Sequence, residues 1–291
     1  MMKKILLIIF NFFFIIFAFK VLAIDLKIPK TEDEWSKAVS SLNWKYGPKT
    51  INFNEANSKI NIASNFMVLE QDEANQWLYW SNGTQFEQVK VYATHRDENS
   101  QYMFSYADSG YVKTDDWTDV DPNKFLKEIQ ENYKSGNEER KKNNLATVTN
   151  VSWKRKPYLD NNYNSVYYAL SLQWSDNQTT TQGTAIILGR EGYTMAQYVA
   201  GVSGYQEQML LNLSKIHKFN ATKEYKDWKS GDKVAAAGIG ALLATTLGIK
   251  ALKPGIIAAA LLFLKKFWFI IFLPFILLGK LFTGSSKKKN K

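Results

Sequence analysis

The chain has 291 residues, 37 basic against 27 acidic, a net charge of +10, no cysteine and two histidines, which excludes thiol nucleophiles and leaves too few ligands for a histidine or cysteine metal cluster. The charge is unevenly placed: Met1 to Ala23 holds three lysines and no acid, residues 233–291 hold ten lysines and no acid, and setting those thirteen aside leaves 24 basic against 27 acidic residues. The excess is a topology signal and not a nucleic-acid footprint, because the middle of the chain is slightly acidic.

Taken in order, Lys3-Lys4, the apolar run Ile5 to Phe19 broken by Asn11, and the small-residue site Val21-Leu22-Ala23 form the three parts of a secretory signal. Cleavage after Ala23 is expected. The alternative is an uncleaved signal anchor, since the run approaches the roughly 20 residues that span a bilayer. Either way residues 24–232 form an exported domain, long enough to bury a core without disulfides. Five Asn-X-Ser/Thr sequons within it read as chance matches in an Asn-rich chain.

Thr31-Glu32-Asp33-Glu34 predicts a capping box opening a helix, followed by Trp35, Ala38, Val39 and Leu42 on one stripe. Strand signals follow. Lys59 to Ile62, Tyr102 to Val112, Val148 to Trp153 and Val166 to Trp174 alternate, and in the last of these Tyr168, Leu170, Leu172 and Trp174 share a face. Ala185 to Leu188 and Tyr193 to Val199 flank Gly189-Arg190-Glu191-Gly192, a hairpin with a short polar tip. Two helices interrupt the strands. One starts at Asp121-Pro122, a cap followed by proline at the first helical position, and runs through Phe125, Leu126, Ile129 and Tyr133. The other covers Tyr205 to Lys218, with Tyr205, Met209, Leu213 and Ile216 on one stripe and His217 read as a cation at its basic end. The fold class is α+β: antiparallel strands with a few segregated helices, followed by a helical membrane region.

Residues 233–282 are predicted to be that anchor region, and residues 283–291 a basic cytoplasmic tail, because positively charged flanks stay inside. The number of crossings stays open, since Lys250, Lys253, Lys265 and Lys266 interrupt the apolar runs. Ala236, Gly240, Ala244 and Gly248 recur every four residues and predict a small-residue stripe for packing between membrane helices.

No nucleotide loop, nucleophile elbow or zinc-protease motif is present, and no cofactor or metal is implied. A carboxylate cluster remains: Asp108, Asp115, Asp116, Asp119 and Asp121. Paired carboxylates serve general acid/base hydrolysis of a polysaccharide, but Asp is also favoured in turns, and the spacing lacks the glycine and terminal glutamate of a calcium loop. Asp121 is expected to matter as a cap, and Asp115 and Asp116 to be dispensable for stability.

Several blocks carry a resemblance. Ala107-Asp108-Ser109-Gly110-Tyr111-Val112-Lys113 with Asp115-Asp116, Asn137 to Arg140, Leu188 to Tyr193, Tyr225 to Trp228 and Gly231 to Ala236 resemble, from about Gly47-Pro48 onward, the family called domain of unknown function 2167. Ala107 stands where the family commonly has a further acid. The resemblance implies an uncharacterised, membrane-anchored bacterial protein, placed at the inner membrane with its main domain on the periplasmic side, and it implies no reaction. Candidate binding residues are Asp108, Tyr111, Lys113, Asp115, Asp116, Arg190, Glu191 and Tyr193. The expected function is a non-catalytic binding or assembly module of the envelope. The alternative is a carboxylate hydrolase in which Arg190 clamps an anionic substrate beside one of these acids. Expected partners are the lipid bilayer and either an envelope protein or a second copy through the membrane helices.

Overall fold

The computed structural model describes residues 27–82, 88–96, 100–142, 146–201 and 204–247. The signal run, the apolar stretch beyond Leu247 and the basic tail lie outside the described residues.

Helix α1 (Glu32–Ser41) opens with the expected capping box: Thr31 Oγ1 accepts the Glu34 N–H at 3.2 Å, and the Glu34 carboxylate accepts the Thr31 N–H at 3.3 Å. Four short strands follow, β1 (Lys45–Tyr46), β2 (Lys49–Phe53), β3 (Ser58–Ile62) and β4 (Phe66–Glu70), and then helix α2 (Gln71–Asn82). Strands β5 (Val89–His95) and β6 (Ser100–Ala107) precede a 3₁₀ turn over Asp115–Asp119. Helix α3 (Pro122–Lys142) is capped by Asp121, whose Oδ1 accepts the N–H groups of Asn123 and Lys124. Strands β7 (Val148–Asp160), β8 (Ser165–Trp174), β9 (Thr179–Leu188) and β10 (Tyr193–Gly201) form a meander. The described chain closes with α4 (Glu207–Ile216), β11 (His217–Phe219) and α5 (Ile239–Thr246).

The strands make an eight-stranded sheet in the order β1-β4-β5-β6-β10-β9-β8-β7 and a three-stranded sheet in the order β11-β3-β2, with antiparallel pairing throughout. Both faces of the large sheet are covered, so its central strands are buried on both sides, mostly through apolar residues but with Ser105, Gln182, Thr184 and Thr194 among them. Val166, Tyr168, Leu170, Leu172 and Trp174 of β8 face a core shared with α1, α2, α3 and α5. Tyr167 and Ala169 face a second core closed by α4 and the small sheet. Each fully buried aliphatic or aromatic side chain contributes roughly 1.5–3 kcal/mol, so two cores of this kind hold the domain without a disulfide.

Three expectations are corrected. The folded core does not stop at Asp232: Ile239, Leu243 and Ala244 of α5 are fully buried in the first core, so the segment read as the start of a membrane anchor completes the globular domain at least to Leu247. A helix surrounded by protein has the same all-apolar composition as one surrounded by lipid, so the sequence alone does not distinguish the two. Among the described residues no helix is long and apolar enough to cross a membrane. The helix expected over Tyr205 to Lys218 ends at Ile216, and His217 is no exposed cation. It begins β11, is buried, and its Nε2 lies 3.0 Å from Thr194 Oγ1; burial pushes its pKa down to about 3, so it is neutral. The strand expected from Tyr102 to Val112 ends at Ala107, where the chain turns off the sheet.

Candidate functional site

The expected binding residues gather at one end of the large sheet because β6 and β10 are neighbours. Tyr193 pairs with both Ala107 and Leu188, which sets the Gly189-Arg190-Glu191-Gly192 tip beside the segment leaving β6. The tip closes with the Gly189 N–H on the Gly192 carbonyl at 2.8 Å, and the Gly110 N–H donates to the Glu191 carbonyl at 2.9 Å. Glycine is required at two of these contacts. A Cβ on Gly192 would sit 2.1 Å from the Ala107 carbonyl oxygen, and Gly110, at φ +85°, would place one 2.7 Å from the Lys233 carbonyl oxygen.

A third segment, Lys223 to Ala235, is strapped over both. The Arg190 N–H donates to the Lys223 carbonyl at 3.0 Å, Gly189 bridges to Glu224, the Tyr111 N–H donates to the Lys233 carbonyl at 2.8 Å, and the Ala235 N–H returns a bond to the Tyr111 carbonyl at 2.9 Å. Tyr111 stacks on Tyr225 at 4.4 Å between centroids and tilts toward Trp228 at 5.2 Å, while the Tyr225 hydroxyl donates to the Val112 carbonyl at 2.7 Å.

Charges lock the same strap. Arg190 makes a bidentate pair with Asp232, Nε at 2.7 Å and Nη2 at 2.8 Å, and Nη1 donates to the Thr222 carbonyl at 3.2 Å. The guanidinium and the Lys229 N–H hold the Asp232 carboxyl down to about 2, and the pairing raises the Arg190 pKa in turn. Lys223 pairs with Glu191 at 2.6 Å and Lys233 with Asp108 at 3.2 Å. Burial and the carboxylates of Asp108 and Glu191 push the Tyr106 hydroxyl up to about 12, so it stays protonated at neutral pH.

The strap then feeds α5. The Ile239 N–H donates to the Lys113 carbonyl at 2.8 Å, while the Lys113 side chain is exposed. Asp116, expected to be dispensable, caps the helix: its two carboxylate oxygens accept the N–H groups of Gly240 at 3.1 Å and Ala241 at 3.3 Å. Gly238 and Gly240 leave room for it, since a Cβ on Gly238 would meet Asp116 Oδ1 at 2.4 Å and one on Gly240 would meet the Asp116 carbonyl oxygen at 2.9 Å. The small-residue stripe thus permits a close approach within this domain. Gly240 and Ala244 are buried against it, Ala236 is exposed, and Gly248 lies outside the described residues.

These contacts separate the expected site residues by role. Asp108, Tyr111, Arg190 and Glu191 hold the strap, Asp116 caps α5, and Tyr193 is buried in the core. Asp115 is exposed beside them. The bidentate clamp that a substrate would need from Arg190 is made to Asp232 instead. Asp232, Lys223, Tyr225 and Lys233 were missed as partners. Three of these stand in the blocks quoted above, but nothing in the linear sequence pairs Arg190 with an acid 42 positions away. Among the described residues there is no group of three or more side chains able to hold a metal. A cavity of about 30 Å³ between α3, the sheet and α5, lined by Tyr133, Tyr168, Gln182, Thr184 and Thr246, has room for a water and not for a substrate.

The family model described as protein of unknown function (DUF2167) matches residues 45–276. The chain belongs to this family. The match takes in the whole strap and α5, so the contacts described above lie within the family's region. No curated protein matches. Among solved structures, the chain is similar to the solution structure of cyanobacterial PsbP (CyanoP) from Synechocystis sp. PCC 6803, at 8% identity over 59% of this chain and 92% of that one, with a TM-score of 0.35.

Proposed function

We propose that this member of the family is a non-catalytic binding or assembly module of the bacterial envelope, with its folded domain on the periplasmic side of the inner membrane. The observation that carries this reading is the use made of the recognisable blocks. Apart from Asn137 to Arg140, which bond to the start of β7, their charges, glycines and tyrosines hold Lys223 to Ala235 against the sheet, where a catalytic site would leave a nucleophile, base or clamp facing solvent. The strap leads into α5, and the sequence after it is apolar and basic, as a membrane anchor requires. Domain and anchor would then be joined by a fixed contact and not by a loose linker, which suits a protein that presents a surface at a set orientation.

Protease added to spheroplasts tests the placement. The domain is digested and a tag after Lys291 survives; loss of the tag from outside rejects the topology. Photocrosslinking from the domain in intact cells tests the module, which requires a specific envelope partner and no turnover of it.

A further inference from the structure

On the face of the large sheet opposite α5, the second half of β7 runs beside α4. Arg155 pairs with Glu207 at the start of the helix, Lys154 lies 5.8 Å from the centre of the Tyr205 ring, and Lys215 at the helix end lies 5.8 Å from that of Tyr163. Tyr158 and Tyr163 are 46% and 43% exposed, among the most exposed large side chains of the described residues. Lys154, Lys156 and Lys215 are exposed and have no acid partner among the described residues. The small sheet on this same face adds Lys218 directly opposite Lys59, both exposed. Like charges placed opposite one another on a ladder are destabilising unless something of opposite charge covers them. Among the described residues the acids on this face are few: Glu207 is held by Arg155, Asp160 accepts the Asn162 N–H, and Glu55 lies in the β2–β3 turn. The domain as a whole is slightly acidic, with 24 basic against 27 acidic residues between the two lysine-rich ends, so this basic surface departs from its surroundings.

We propose that this strip binds an anionic polysaccharide. Spaced ammonium groups match carboxylates or phosphates repeated along a polymer, and the half-exposed rings of Tyr158, with Arg155 over it at 5.2 Å, and Tyr163, beside Lys215, offer their remaining open faces to the C–H faces of sugar rings. Gln208 and Asn212, hydrogen-bonded to each other at 2.8 Å on the exposed side of α4, supply amides for hydroxyls. A bilayer fits less well. The strip lacks an aliphatic wedge, and α5, through which the chain continues to its apolar stretch, packs on the opposite face of the sheet. The choice of polymer rests on the exported placement proposed above, whereas binding in solution does not, so the two can fail separately.

The test titrates the full chain in nonionic detergent at low ionic strength with polygalacturonate, neutral dextran and mixed micelles of the same detergent with phosphatidylglycerol. Polygalacturonate binds and dextran does not. Combined Lys154→Glu, Lys156→Glu and Lys215→Glu weakens binding by about tenfold or more. Tyr158→Ala with Tyr163→Ala weakens it several-fold while leaving the salt dependence unchanged. Lys156→Gln with Lys215→Gln, a milder change at exposed positions, replaces the triple reversal if that variant does not fold. The proposal is overturned if polygalacturonate does not bind, or if the lysine variants bind as wild type. It is equally overturned if the tyrosine variant is unchanged, which would mean plain ion exchange, or if the phosphatidylglycerol micelles bind more tightly than the polymer at equal charge.

Discussion

The strap at the end of the sheet and the strip along β7 and α4 are both rich in lysine and tyrosine, yet they use them in opposite ways. In the strap every named charge has a partner: Arg190 with Asp232, Lys223 with Glu191 and Lys233 with Asp108, while Tyr111 and Tyr225 stack on each other. On the strip, Lys154, Lys156 and Lys215 have no acid partner among the described residues, and the two tyrosines, about half exposed, lie beside Arg155 and Lys215 and not beside each other. Paired charge in contact with backbone fixes one part of a chain to another. Unpaired charge at the surface is available to something else. The blocks by which the family is recognised therefore report how the domain is built, and the surface available for recognition has no motif at all.

The sharpest way to break the strap is steric. Gly192→Ala drives a Cβ into the Ala107 carbonyl oxygen and should cost about 3 kcal/mol in denaturant unfolding. Gly201→Ala, where a Cβ would meet nothing within 4 Å, should change stability by less than about 0.5 kcal/mol. Equal effects would mean that the tip does not depend on this close approach.

Next in size is a pH effect on the strip's side of the sheet. His217 is held neutral with its pKa lowered from 6.5 to about 3. Below pH 6.5 the unfolded chain takes up a proton that the folded chain refuses, so stability falls as pH drops through that window and is unaffected by this group above it. The slope is about 1.4 kcal/mol per pH unit, or about 2 kcal/mol lost by pH 5. Unfolding measured from pH 7 to 5 should show it, and His217→Gln should remove that part of the slope. A slope that persists unchanged in the variant would place the titration elsewhere.

How far such features could be read beforehand varies by element. The capping box at Thr31 and Glu34, the Asp121 cap, the β8 alternation and the Gly189–Gly192 hairpin are local patterns, and each appears where its residues indicate. Helix α2 has no comparable signal. It starts directly after β4 at Gln71, whose φ of 47° is unusual for a side-chain-bearing residue, and its Trp77, Leu78 and Trp80 read equally well as strand. Within the candidate site the individual residues were legible and their partners were not. Arg190 reads as a clamp, but the acid it clamps lies beyond strand β10, helix α4 and the small-sheet strand β11. Asp116 reads as a turn residue because the helix it caps begins more than 120 positions later in the sequence.

That last contact supplies a smaller prediction. Asp116→Ala should cost about 1 kcal/mol by uncapping α5, as should Asp121→Ala at α3, while Asp115→Ala stays within about 0.5 kcal/mol of wild type. Thermal melts of the three single variants separate the two kinds of aspartate; an Asp115 effect as large as that of Asp116 would rule the distinction out. Smallest of all, Lys156→Glu on the strip should leave stability within about 0.5 kcal/mol of wild type, because its side chain is exposed and supports no partner.

The central claim is that the blocks around Tyr111, Arg190 and Lys223 to Ala235 act as one latch, the strap and what it is strapped to, and amide hydrogen exchange in the wild type and in Arg190→Gln tests it most directly. The N–H groups of Arg190, Tyr111, Ala235 and Ile239 are each bonded to a carbonyl across the latch. The account predicts that these four lose protection together in the variant, while amides at the sheet centre, such as Ala185 and Ala196, keep theirs. Unchanged protection at the four, with loss confined to residue 190 and its immediate neighbours, would contradict it.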